Sequence, residues 1–292
     1  MKYLDPVALA KLKSSSLELK RLSAEGHATG RHRGVWKGLS HEFAQHRAYA
    51  PGDELKTLDW KVYARQDRFY VREYQTENLL TTTILLDASG SMGLASKGNP
   101  PKWDVACRLA MALSYLVLAR GDAAGLVLFD SEPRHFIPPR TSFSHLEVFD
   151  AALAARAPGG ETRLDLVLER AVARLRRRSL VILISDLLGD GEAIVKVIKA
   201  FKARQREVLV LQVLDPQERD FDYEGPVVFE GLEGGELFCD ATALRGLYRA
   251  EFQRQLRLYE ASFQRAEISY APFYTDTPWD LVLNRFLGRA RR

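Results

Sequence analysis

From Thr81 onward the chain alternates two patterns. Short apolar runs without polar interruption give way to longer stretches with an apolar residue every third or fourth position. Uninterrupted β-branched and aliphatic runs mark strands buried on both faces of a sheet, and the longer period marks amphipathic helices. The runs at 81–86, 125–129, 180–185, 208–214 and 268–273 predict strands. The segments 103–120, 144–157, 163–178, 192–204, 242–266 and 278–287 predict helices. Val105, Leu109, Leu113, Leu116 and Val117 give the first helix its apolar side, and Gly121 suits its C-terminal cap. A short edge strand, returning antiparallel, is expected over 134–137. A hairpin is expected where 227–229 and 236–239 flank Gly234-Gly235. On the 242–266 helix, Leu244, Leu247, Tyr248, Phe252, Leu256, Tyr259 and Phe263 recur at helical spacing and are expected to pack in the core. Strand–helix alternation of this kind predicts an α/β fold, a doubly wound, mainly parallel sheet with right-handed crossovers.

The first 79 residues have another texture. Asp5 can cap, and Pro6 can open, a helix running to Ala24 whose leucines would pack on the main domain. Residues 26–78 mix Gly, His, Arg and aromatics with interspersed acids, around a Pro51-Gly52-Asp53 turn. This balance predicts a small β-containing region with internal ion pairs, in which Phe69–Tyr74 leads as a strand into the main sheet. The expected division is therefore 1–79 and 80–292. His41 and His46 do not form a zinc helix. They are five residues apart, which turns the second imidazole roughly 100° off the face a two-histidine motif needs.

Chemistry concentrates where the first buried run ends. Asp87-x-Ser89-x-Ser91 sets a carboxylate and two hydroxyls on alternate positions at the carboxyl end of a strand, the edge where open α/β sheets bind ligands. Three such oxygens can converge on a hard cation of the Mg²⁺ type. They can equally form a polar turn that caps the next helix.

Two further stretches follow the same plan. Gly159-Gly160-Glu161-Thr162 precedes a helix, and Ser179–Ser185 is a second buried run ending in Asp186. Together these pieces resemble the von Willebrand factor type A-like fold, a Rossmann-type sheet, with its metal-ion-dependent adhesion site. The resemblance implies that Asp87, Ser89 and Ser91 form the first metal loop, Thr162 the second and Asp186 the third, holding Mg²⁺ or Mn²⁺. Thr162 is preferred to Glu161 because it keeps the following helix in phase.

Nearly the whole chain resembles a bacterial and archaeal family of unknown function that joins such a domain to a characteristic N-terminal region. The matching motifs include Lys37-Gly38-x-Ser40-x-Glu42-Phe43, Arg47-x-Tyr49-x-Pro51-Gly52-Asp53, Asp59-Trp60-Lys61-x-Tyr63-Ala64-Arg65 and Ser185-Asp186-Leu187. Glu54 and Lys56 stand where the family often has Asp and Arg. The resemblance implies association with MoxR-type AAA+ ATPases in chaperone-like or metal-insertion roles. A partner's Asp or Glu is expected to complete the metal's coordination.

Composition narrows the alternatives. A net charge of +4 with pI near 9.0 is compatible with acidic partners without marking a nucleic-acid binder. The arginines of 163–178 read as a solvated helix face, which leaves nucleic acid the weakest reading. A phosphatase using Asp87 as nucleophile would want a second acid where Ser89 stands. No Walker P-loop or Gly-x-Ser-x-Gly elbow occurs. The expectation is a binding protein rather than an enzyme. Cys107 and Cys239 lie far apart, without a CxxC, and read as free thiols. No signal-peptide pattern opens the chain and no window reaches about 18 uncharged apolar residues, so a cytoplasmic protein without membrane partners is expected.

Overall fold

The computed structural model describes residues 1–12, 42–50, 53, 58–75, 79–160, 163–175, 179–204, 206–230 and 235–289. They fall into two compact units, one from Gly30–Leu79 and one formed by the rest of the chain.

In the smaller unit β1 (Glu42–Ala48) pairs antiparallel with β2 (Tyr70–Gln75). The expected run of 69–74 into the main sheet is corrected, because β1 takes its hydrogen bonds. Asp59 caps the short helix α2 (Trp60–Gln66), accepting from the Lys61 and Val62 N–H groups. The same carboxylate lies 2.9 Å from His46 Nε2, and Arg47 pairs with Asp53 at 2.8 Å. Residue 46 therefore sits on a strand against a carboxylate, and His41 lies outside the described residues.

The larger unit is built on a six-stranded sheet. Its strands are β3 (Thr81–Asp87), β4 (Ala123–Phe129), β5 (Pro133–Arg140), β6 (Leu180–Ser185), β7 (Glu207–Leu214) and β10 (Ser269–Tyr274), in the order β10-β7-β6-β3-β4-β5. Every pairing is parallel except β4 with β5. The order reverses at β3. The chain winds outward through β4 and β5, then returns to β6 on β3's other side.

Because alternate residues face opposite ways, each strand feeds two cores. Ile84 and Leu86 join one cluster, in which helices α3 (Lys102–Leu118), α4 (His145–Ala154) and α9 (Trp279–Arg289) cover the sheet; Leu85 joins the other, under α5 (Leu164–Arg174), α6 (Gly191–Ala203) and α8 (Ala241–Arg265). Tyr3, Ala8 and Leu9, around α1 (Pro6–Leu12), belong to the first cluster, and the backbone N–H groups of Lys2 and Tyr3 bond to Asp150. The continuation of that helix expected to residue 24 lies outside the described residues.

After β7 comes α7 (Pro216–Asp220), a short helix fixed by a reciprocal Asp215–Glu218 capping box. A separate hairpin then follows, β8 (Pro226–Glu230) with β9 (Glu236–Asp240). The apolar stripe of α8 divides. Tyr259 and Phe263 are fully buried, whereas Leu244 and Leu247 are exposed, which corrects the expectation that the whole stripe packs in the core. Leu244, Leu247 and Tyr248 of α8 line a cavity with Phe229 and Leu237 of the hairpin.

Candidate metal and docking site

The reversal of strand order puts the carboxyl ends of β3 and β6 side by side, at the edge where open α/β sheets bind ligands. Asp87 ends β3, and Ser185 and Asp186 follow in register on β6. All three side chains are buried.

Asp87 is held from two directions. Its Oδ1 accepts the Ser89 N–H at 3.0 Å, and its Oδ2 accepts the Ser185 hydroxyl at 2.7 Å. Burial, then the neighbouring charge of Asp186, pushes its carboxyl up to about 7 against the hydrogen bonds that favour the anion. Ser89 and Ser91 are also buried, their hydroxyls 3.0 Å apart. A 3₁₀ turn over Gly90–Gly93 produces this approach.

Asp186 stands on a strained loop. The next residue, Leu187, has φ +55°, a left-handed conformation unfavourable for a bulky side chain. Three bonds hold it there. Leu187 N–H donates to Ser185 Oγ at 3.0 Å, Tyr259 OH donates to the Leu187 carbonyl at 2.8 Å, and Gln212 Nε2 donates to the Asp186 carbonyl at 2.8 Å.

The loop expected to supply the second set of ligands is tied to the first. Gly159 N–H donates to the Ala88 carbonyl at 2.9 Å and Gly90 N–H to the Gly160 carbonyl at 3.0 Å. Gly160 has φ +83°, which a side chain would strain. Thr162 itself lies outside the described residues. Asp87, Ser89, Ser91 and Asp186 are thus gathered on one crest of the sheet.

Sequence reasoning missed three members of this site. Lys102, at the start of α3, is fully buried, and its Nζ bridges Asp186 Oδ2 at 2.8 Å and Glu218 Oε1 at 2.7 Å. Burial alone would lower the ammonium's pKa. The charges of Asp186 and Glu218 outweigh that and hold it above the ordinary lysine value. Glu218 is raised, by burial first, despite the lysine beside it. The signal for Lys102 was one lysine at the mouth of a mostly apolar helix. Ser185 was legible as the residue before Asp186, but its role in holding Asp87 was not.

The donor chemistry suits a small hard cation. Asp87 and Asp186 are buried neighbours with one lysine as countercharge, beside two buried hydroxyls that stand 3.0 Å apart. Among the described residues no three His, Cys, Asp or Glu side chains cluster, so such a site would depend on hydroxyl oxygens.

An open, mainly parallel sheet covered by helices on both faces, with a polar crest at its switch point, is a von Willebrand factor A-like fold. The chain belongs to the family described as protein of unknown function DUF58, whose model matches residues 45–261. The uncharacterized protein Rv1480 of Mycobacterium tuberculosis is 30% identical over 298 residues, spanning 99% of this chain and 91% of the relative. Among solved structures, the conserved hypothetical protein BatB from Bacteroides thetaiotaomicron is similar at 18% identity and TM-score 0.46, over 72% of this chain and 98% of its own. The SpRpn10 VWA domain is similar at 11% identity and TM-score 0.44, over 72% and 95%.

The cytoplasmic assignment expected from the sequence is corrected. Similar structures include an aerotolerance-related membrane protein from Bacteroides fragilis, at 16% identity and TM-score 0.42 over 72% of this chain and 99% of its own. They also include an uncharacterized membrane spanning protein from Vibrio fischeri, at 14% and 0.23 over 72% and 100%. Among the described residues no helix is long and apolar enough to cross a membrane.

Proposed function

We propose that the protein is a metal-dependent protein-binding module. In this reading Asp87, Ser89, Ser91, Asp186 and Thr162 hold Mg²⁺ or Mn²⁺ at the crest. When bound, such an ion supplies an electropositive docking point for an Asp or Glu of a partner. Ser185 orients Asp87 and favours its anion against burial, and Tyr259 and Gln212 fix the strained turn that presents Asp186. Lys102 compensates Asp186 from the helix side. In this reading the protein acts by binding rather than turnover: a phosphoaspartyl enzyme would want a second acid two residues after Asp87, where Ser89 stands.

The observation that carries this reading is the convergence of Asp87, Ser89, Ser91 and Asp186 at the strand-order reversal. The family resemblance supports a MoxR-type AAA+ ATPase as the partner, in chaperone-like assembly. Purified protein is mixed with such an ATPase in Mg²⁺ and in chelator, wild type beside Asp87→Ala. Capture that requires Mg²⁺ and Asp87 is expected, and equal capture in chelator overturns the reading.

A further inference from the structure

Glu218, the carboxylate that holds Lys102, also lines a cavity of about 590 Å³. Its walls are overwhelmingly apolar. They include Phe221 and Tyr223 after α7, Phe229 and Leu237 from the hairpin, and Leu247 and Tyr248 from α8. The mouth is open, with Leu237 61% and Leu247 71% exposed. On the hairpin's other face Phe238 is 74% exposed opposite its register partner, the exposed Val228. An isolated two-stranded ribbon is marginal by itself, and apolar residues left open on both its faces mark an interaction surface.

The charge around this groove says what would cover it. The chain as a whole is +4, yet the described residues of 215–251, which include the α8 wall, hold nine acids (Asp215, Glu218, Asp220, Asp222, Glu224, Glu230, Glu236, Asp240, Glu251) against three bases, Arg219, Arg245 and Arg249. Glu230 and Glu236 are exposed and directly opposed across the hairpin, an arrangement of like charges that disfavours the pairing. A cation from outside would relieve it. Anionic lipid headgroups would be repelled by the same rim, which favours a peptide over a membrane.

We propose that the groove between the β8–β9 hairpin and α8 docks a basic amphipathic segment of a partner protein. Large apolar side chains of that segment seat between Leu237 and Leu247, and flanking Lys or Arg residues meet Glu230 and Glu236. This is helix-in-groove recognition with charge selecting the sequence. It uses none of the crest oxygens and requires no metal.

The test is fluorescence anisotropy of the full chain with a labelled synthetic amphipathic helix of leucine and lysine, in the presence of chelator. Saturable binding is expected, weakened roughly tenfold or more, about 1.4 kcal/mol, by Leu247→Asp. The double variant Glu230→Lys, Glu236→Lys should weaken it too and flatten its salt dependence. All three side chains are exposed, and a thermal melt confirms that the variants fold. Unchanged affinity in the variants, or equal binding of a leucine–glutamate helix, overturns the proposal. So does self-association in sedimentation that Leu247→Asp abolishes, because the occupant is then a second copy. Binding to phosphatidylcholine vesicles abolished by Leu247→Asp overturns it in favour of a lipid surface. Since chelator is present throughout, failure here is separable from failure of the metal-dependent crest.

Discussion

Replacing Lys102 with methionine keeps an unbranched side chain one atom shorter and removes its charge. In the native protein that ammonium is 0% exposed and lies 2.8 Å from Asp186 and 2.7 Å from Glu218, both largely buried. Lys102→Met would leave two carboxylates in a low-dielectric pocket without their cation. Breaking a buried pair by removing one partner costs about 3–5 kcal/mol. For a unit of this size that corresponds to a loss on the order of 10 °C in melting temperature. The loss should depend on pH. Glu218, already raised by burial, loses the lysine that lowers it and is raised further, so the penalty is present at high pH and fades as it takes up a proton on acidification. Urea unfolding of wild type and variant, at about pH 5 and pH 8, measures both quantities. The substitution also discriminates the metal reading. Without the lysine on Asp186, Mg²⁺ affinity should rise, and added Mg²⁺ should restore more stability to the variant than to wild type. A stability loss below about 1 kcal/mol would refute the argument that the lysine neutralises a buried pair. Mg²⁺ that stabilises both proteins equally would refute its link to the crest.

Other consequences can be checked as directly. Because Asp87 is raised to about 7, the folded protein retains a proton that the unfolded chain has released. The stability this gives is present below the ordinary carboxylate range and lost as pH rises through about 7. Asp87→Asn should flatten the fall in metal-free melting temperature between about pH 5 and 8, and abolish any Mg²⁺-induced stabilisation. Ser185→Ala removes both the donor to Asp87 and the acceptor for Leu187 N–H. It should cost about 1–3 kcal/mol in denaturant unfolding. Gly125→Ala would place a Cβ 2.8 Å from Pro139 Cγ and 2.9 Å from its backbone nitrogen, forcing β5 off β4. A loss of about 1–3 kcal/mol is expected by the same measurement. Cys107 is buried and its thiol is pushed up by that burial, whereas Cys239 is partly exposed beside the groove. A thiol reagent should therefore modify one cysteine in the native protein and two after unfolding, and labelling Cys239 should block the leucine–lysine helix.

The main sheet was legible because its strands are buried on both faces. β6 begins and ends where its apolar run does, β3 and β7 differ from their expected limits by a residue at one end, and β10 is shifted by one residue at both. The pieces that escaped were those that periodicity does not mark. β1 carries charged and aromatic residues with no clean alternation, and α2 and α7 are short helices capped by Asp59 and Asp215. In the crest, Asp87, Ser89, Ser91 and Asp186 were readable from spacing, because short oxygen side chains at strand ends form a recognisable pattern. Lys102 was not, since its partners lie 84 and 116 residues further along the chain. Leu247 was misread as core because its helical spacing continues that of Tyr259 and Phe263, although the sheet that covers those two does not extend beneath it.

The outermost strands of the main sheet share one trait. β5 carries Pro133, Pro138 and Pro139, and β10, at the opposite rim, carries Pro272. Proline lacks the N–H that an added strand would need, so both rims are blunted against augmentation by a foreign peptide or a neighbouring copy. Growth of the sheet is thereby discouraged in either direction. Recruitment is left to the loops above the strands and to the outlying ribbon, surfaces where side chains rather than backbone choose the guest.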